Sequence, residues 1–502
     1  MSVVLDRIVS GDGLVPGRSR RRWLPWAASV AGALVVLGLV ARAPNGFGMV
    51  MLLGGVGAAM VYLGLRDPVL AVFFLLLATF LRLALPPIFP VDPFMLAFTG
   101  MIGSVAIGIA RQRCRVPRVG ALEAAMVLYV LWNIASMVTS HPYPAIVPTT
   151  GEDLAVSRFI MTGTVIPFAL YFVGRFVFDR ESAVRRLLWM VLGLGAYSAA
   201  VSIMQLRGPA ALVWPSYIVD APAWEGRAVG IFNQPVVNGL VLVMGFIVAM
   251  VLAGERTEPR WRRIVAAAVA LACAYSVYLT HTRAVWLAFA IVLVGGALYA
   301  RGFRSGFVSG IVVSVLAVAT NWSTFTSDDR QAGGVGSEGE LLDRLNTLAT
   351  SVWAVREEPL LGWGVGRFTA LNTYHHTQWS SDTPWVRGFG IASHLNELGV
   401  VAELGLIGLV LWLVVLVLVC VKLIHAYRVL PAEGLCGRRL AFVAIMAFVV
   451  LVVTGLTVDL RFFDFPNAIV MLLAGVAIGF ADRLPHGRVP ESAGSRTESV
   501  RT

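Results

Sequence analysis

Fourteen apolar runs constrain this 502-residue chain more than any other feature it has. They start near residues 24, 46, 68, 93, 120, 158, 186, 231, 264, 284, 305, 396, 440 and 466. A helix needs about 20 apolar residues to cross a bilayer core. Every backbone polar group inside that core must find its partner within the protein, which leaves helices or a closed barrel. Runs of this length predict an all-α, polytopic membrane protein of about 12–14 transmembrane helices. The composition agrees, because only 14 % of the residues are charged and the mean hydropathy is +0.78, whereas soluble domains are about one quarter charged.

A formal charge of +11 invites a nucleic-acid reading. The placement of that charge argues for membrane orientation instead. Counted from a cytoplasmic N-terminus, the predicted cytoplasmic segments hold 28 of the 40 Lys and Arg. The clearest are loop 111–118, with Arg111, Arg113, Arg115 and Arg118, and loop 254–263, with Arg256, Arg260, Arg262 and Arg263. That asymmetry is the positive-inside pattern, and it requires no acidic partner and no nucleic acid. Both termini are expected in the cytoplasm.

The basic stretch 1–23 could open a signal peptide, but the apolar run continues to Ala41, and Pro44 closely follows the one Ala-x-Ala candidate, Ala41 to Ala43. A retained first helix is therefore expected. The domain reading is a basic N-terminus at 1–23, eleven helices over 24–322, a large extracytoplasmic loop at 323–395, three helices over 396–483 and a disordered tail at 484–502. Cys114, Cys273, Cys420 and Cys436 all fall outside the predicted outer loops and show no CxxC or Cys/His spacing, so neither a disulfide framework nor a zinc site is supported.

The loop at 323–395 is too long for a passive connector. Its middle, Leu341 to Arg356, has Leu342, Leu345, Leu348, Val352 and Val355 near helical spacing, which predicts an amphipathic helix on the membrane surface or over a cavity. Beyond it comes Pro359-Leu-Leu-Gly-Trp-Gly364. His394 follows, with Glu403, Gly405 and Gly408 at +9, +11 and +14. Upstream stand Gly226-Arg-Ala-Val-Gly-Ile-Phe-Asn-Gln-Pro235 and Thr282-Arg-Ala-Val-Trp286.

In this order, and on one predicted face of the membrane, these segments resemble the O-antigen ligase and Wzy-type polymerase superfamily over roughly residues 220–420. Two departures are visible. Leu395 stands where the superfamily has an Asn directly after the histidine, with Asn396 one position later, and Gln234 is inserted before Pro235. The resemblance implies a GT-C-like all-α fold and a glycosyltransferase that needs no cofactor or metal. Such an enzyme moves a glycan from a polyprenyl diphosphate carrier to an acceptor hydroxyl, with inversion, on the outer face of the bacterial plasma membrane. The acceptor would be a glycan, a lipid or a protein.

The residues can also be read physically. Ser393 is a candidate N-cap that would set His394 in the first turn of the following helix. A helix N-terminus disfavours imidazolium and favours an anion nearby, which suits His394 as a general base. An interfacial polar residue is the competing reading. Arg227 and Arg283 would hold the diphosphate through bidentate forks, against the alternative of loop arginines that snorkel. Glu397, one turn beyond His394, is the better orienting carboxylate or else an exposed helix residue. Nine residues on, Glu403 would face away and about 13 Å deeper along a continuous helix, as a buried partner for another polar group. Asn396 is a further candidate contact.

Tyr374, His375, His376, Trp379, Trp385 and Arg387 offer aromatic faces and donors for sugars, or serve as interfacial anchors. Asp328, Asp329, Glu338, Glu340 and Asp343 match no cation-ligand spacing and read as a solvated loop face. A glycan ligase is the leading reading and a repeat-unit polymerase the alternative. A dolichyl-phosphosugar-type transferase is disfavoured because the first outer loop, Arg42 to Gly46, lacks an acid. A lipid-linked glycan transporter is less favoured too, since no inverted repeat is visible and Arg82 and Glu123 are the obvious intramembrane charges.

Overall fold

The computed structural model describes residues 62–84, 92–148, 150–300, 302–329, 333–336 and 339–484. The two predicted helices starting near 24 and 46, the basic N-terminus, loop 42–45, Glu338 and the tail from residue 485 lie outside the described residues. Two compact units divide the chain, Met1–Leu63 with Ile88–Pro90 and Gly64–Pro87 with Val91–Thr502. The account below concerns the second.

Each of the twelve later apolar runs forms a helix. They are α1 (Pro68–Phe80), α2 (Pro93–Ala110), α3 (Ala121–Val138), α4 (Val156–Val177), α5 (Glu181–Arg207), α6 (Pro235–Ala253), α7 (Arg260–Leu279), α8 (Arg283–Tyr299) and α9 (Arg304–Thr320). The long loop adds α10 (Gly339–Glu357) and α11 (Phe368–Tyr374), and the chain closes with α12 (Asn396–Val429), α13 (Arg438–Gly455) and α14 (Asp464–Asp482). Among the described residues, nine helices are long and apolar enough to cross a membrane, while α1, α8 and α9 are shorter apolar helices. No strand forms among them beyond an isolated Ile146–Asp153 bridge. The protein is an all-α polytopic membrane protein.

Helices α6 and α14 are buried on nearly every face, as expected of helices that are apolar all round. The α4–α14 seam is tight because small residues line it: a Cβ on Gly475 would lie 2.0 Å from the Tyr171 carbonyl, and one on Gly479 2.2 Å from that of Arg175. The two intramembrane charges noted in the sequence are paired at helix ends. Arg82 meets Asp464 at 3.1 Å, and Glu123 meets Arg175 at 2.6 Å. They form no polar path through the bundle.

The main departure from expectation is in α12. Gly405 has φ +67° and ψ −173°, so the helix breaks there. Asn396 and Glu397 line one crevice together with Trp412 and Leu416. In a continuous helix, residues 16 positions apart would be about 24 Å apart along the axis. The half-helix 396–404 therefore folds back on the long half after Gly405, and Glu403 does not lie deeper along a single rod. Four backbone groups around the break find partners outside the helix. The carbonyls of Ala402 and Glu403 accept the N–H groups of Trp363 (3.0 Å) and Gly364 (2.8 Å), Leu404 O accepts Trp132 Nε1–H (2.9 Å), and Leu406 N–H donates to Pro359 O (2.8 Å). Buried backbone demands this accounting.

Candidate functional site

The site is assembled where the long loop meets the helix ends. Arg227 comes from the α5–α6 connection and is buried against the α7–α8 hairpin. Its Nε donates to Thr280 O (3.3 Å), its Nη2 to Thr282 Oγ1 (2.7 Å), and its guanidinium lies 4.9 Å from the Trp224 ring centroid. Burial without a carboxylate partner pulls its pKa down to about 10. Downstream, the inserted Gln234 is the N-cap of α6, its side-chain oxygen accepting Val236 N–H at 3.2 Å, with Pro235 at the first helical position. Asn233 takes the left-handed conformation just before it (φ 50°), a region that Asn tolerates better than most residues.

Arg283 is the first residue of α8, one position past the Thr282 hydroxyl that holds Arg227. Arg344 approaches it from α10. Burial and the neighbouring Arg283 charge both hold the Arg344 guanidinium below its usual range. Among the described residues, no hydrogen bond or ion pair engages that guanidinium. Burial and Arg344 in turn push the His394 imidazole below the ordinary histidine value, with Asp343 opposing them. Arg283, Arg344 and His394 thus lie within electrostatic reach of one another, and Arg227 is tied to the same hairpin through Thr282. Arg344 was not singled out from sequence; its one visible signal is its place at the head of the amphipathic helix.

His394 is not in the first turn of α12. Leu395 is the N-cap and Asn396 the first helical residue. Ser393 turns on itself instead, accepting Leu395 N–H at 3.3 Å and donating to Leu395 O. The physical reason is that a hydroxyl engaged by a local turn is no longer available to the helix donors. His394 therefore stands just ahead of the helix, and neither ring nitrogen is hydrogen-bonded to a described residue. Glu397 does not orient it: no hydrogen bond joins the two, and Glu397 Oε2 is enclosed in the crevice with Asn396 and Trp412 without a hydrogen-bond partner. Asp343 is the carboxylate whose field reaches the ring.

The amphipathic helix exists as α10, but it buries its polar face. Asn346, Thr347, Thr350, Ser351 and Ala354 are buried, while Leu341 and Val352 are exposed. The buried amide of Asn346 organises the loop, donating to Pro384 O (3.1 Å) and Arg387 O (2.8 Å) and accepting Trp379 N–H (2.9 Å). Thr350 donates to Asn372 Oδ1 and accepts Thr377 N–H. Hydrogen bonding rather than apolar packing decides which face turns inward.

These anchors sort the aromatic cluster. His375 stacks on Trp353 (4.3 Å) beside Trp363 and bonds Tyr143 Oη, so it is part of the loop's interior. His376 contacts Asn372 Oδ1 and Trp385 O through its two nitrogens, each at 2.8 Å. Tyr374, stacked on Tyr143 at 5.2 Å, and Trp379 and Trp385 keep half or more of their surface exposed. Arg387 sits 3.9 Å from Asp343. The end of α3 and the connection after it also brace the loop, Ser136 Oγ accepting Val365 N–H (3.1 Å) and Tyr143 O accepting from Arg367 Nε–H (2.9 Å). No sequence pattern signalled that contribution.

The structure is an all-α membrane bundle that brings Arg283, Arg344 and His394 together beside the long loop. Residues 267–413 match the O-antigen ligase family. This bears out the resemblance over the stretch that carries Arg283, Arg344, His394 and the Gly405 break, and it supports an activity of the O-antigen ligase or polymerase type. No curated protein matches the chain.

Proposed function

We propose that the protein is a membrane glycan ligase that takes a glycan from a polyprenyl diphosphate carrier and joins it to an acceptor hydroxyl, with inversion at the anomeric carbon. The observation that carries this is the approach of Arg344 to both Arg283 and His394. A histidine whose pKa burial and Arg344 lower stands beside arginines whose guanidinium charge is suited to phosphate. His394 takes the proton from the acceptor hydroxyl as that oxygen bonds to the anomeric carbon. The carbon–oxygen bond to the carrier breaks, and the diphosphate leaves with its electron pair. Arg283, Arg344 and Arg227 stabilise the charge that develops there, commonly the largest catalytic term. Exposed Tyr374, Trp379 and Trp385 supply faces for sugar rings. The arginine distribution along the chain supports an orientation with this end of the bundle outside the cell membrane.

The test is transfer by purified full-length protein given a synthetic polyprenyl-diphosphate oligosaccharide and an acceptor glycolipid. The wild type releases one polyprenyl diphosphate per glycan joined, and His394→Ala releases none above background. Growth of the carrier-linked chain itself, with no product on the acceptor, would make the protein a polymerase.

A further inference from the structure

Behind the histidine lies a second charged group that the reaction above does not use. Arg461, in the α13–α14 connection, is buried and donates to three carboxylate oxygens: Glu403 Oε2 at 2.7 Å, Asp459 Oδ1 at 2.9 Å and Asp459 Oδ2 at 2.5 Å. The other Glu403 oxygen accepts the Phe368 N–H at 3.1 Å, at the start of α11. One guanidinium therefore joins the half-helix 396–404, the loop that carries α11 and the α13–α14 connection. The fit around it leaves no slack. A Cβ on Gly399 would lie 2.4 Å from Arg461 Nη2, 2.8 Å from Asp459 Oδ2 and 3.3 Å from the Ser393 Cβ. On the far side, α4 opens into a π-helical turn at Met161–Val165, where a Cβ on Gly163 would meet the Arg461 carbonyl at 2.8 Å.

We propose that Arg461, clamped between Glu403 and Asp459, is the positioning residue for His394. It sets the half-helix against the loop so that the imidazole faces the cluster formed by Arg283 and Arg344. His394 has no hydrogen bond of its own to a described residue, so its place depends on the segment it precedes, and Arg461 is the contact that fixes that segment on two sides. A fork geometry is required, because a lysine ammonium cannot reach both carboxylates in plane. This inference rests on the reading of His394 as the base.

The test uses purified full-length protein and two readouts. The first is the rate at which diethyl pyrocarbonate modifies His394, followed by peptide mass spectrometry without donor, with exposed His425 as internal control. The second is steady-state transfer. Arg461→Lys is expected to raise His394 modification at least threefold with His425 unchanged, to lower kcat at least tenfold and to leave the donor KM within twofold. Glu403→Gln, which keeps an oxygen for Phe368 N–H, is expected to shift both readouts in the same direction by less, and it serves if Arg461→Lys fails to fold. Unchanged His394 modification in the variant that folds would overturn the inference, as would kcat and KM worsening together. A fully active His394→Ala would instead remove the base reading on which the inference rests.

Discussion

Leu406 donates its backbone N–H to the carbonyl of Pro359 at 2.8 Å. In a continuous helix that N–H would belong to Ala402, whose carbonyl instead accepts from Trp363. The Pro-Leu-Leu-Gly-x-Gly stretch and the Glu-x-Gly stretch are thus the two halves of one joint. The loop supplies the hydrogen bonds that the broken helix gives up, which is how irregular backbone is tolerated near a membrane. The joint also bears on His394, the proposed base, which precedes the half-helix that ends at the break.

Gly405 is the hinge of that joint. Its φ of +67° disfavours any side chain, and a Cβ there would lie 2.1 Å from Leu360 O. Gly405→Ala should cost about 1–3 kcal/mol in backbone strain alone, before the clash is counted. The expected result is a thermal midpoint in detergent lowered by several degrees and transfer reduced below a tenth. An unchanged midpoint would mean the break is not required for folding.

Arg344 should matter to the leaving group more than to affinity. Arg344→Gln is expected to lower kcat roughly 100-fold, as loss of one such donor typically does, with a smaller rise in donor KM. Arg344→Lys should recover part of kcat, since it restores the charge without the fork. Kinetics dominated by KM would place Arg344 in ground-state binding.

The pH dependence has a definite sign. The proposed base, His394, can take a proton only when neutral, so transfer is expected to rise as pH increases through its pKa. Burial and Arg344 lower that pKa, so the acidic limb of kcat/KM should fall below the usual histidine value of about 6.5. Asp343 raises it. Asp343→Asn keeps an oxygen to accept Gly388 N–H and should move the limb further toward acid; a move toward neutral pH would contradict the arrangement.

Asn346 should be a stability and order determinant without touching substrate. Its buried amide makes three hydrogen bonds to the segment 379–387. Asn346→Ala leaves those backbone groups unsatisfied, at about 1–3 kcal/mol for a buried group. Hydrogen exchange across 376–392 should speed up at least tenfold while α6 and α14 stay protected.

The twelve later helices were legible because a spanning helix is written locally, as length and apolarity. The loop helix was legible too, but its orientation was not. Leucine spacing does not say which face packs on the protein, because the deciding interactions are hydrogen bonds from Asn346 and Thr350 to residues some 30 positions away. The Ser393 cap failed for a related reason, since the same hydroxyl can serve a local turn or a helix end. Glu403 could be read as a buried partner, but not whose: Arg461 lies 58 positions on and carries no motif. Arg344 carries no sequence signal of a role, because its meaning comes from Arg283 and His394 and not from its neighbours in sequence.

The most direct test of the central claim is mass spectrometry of the carrier-linked glycans in a strain lacking this protein, complemented with wild type or His394→Ala. The account predicts long polyprenyl-diphosphate glycans accumulating in the deletion, cleared by wild type and not by His394→Ala. An unchanged carrier pool in the deletion, or full clearance by His394→Ala, would contradict it.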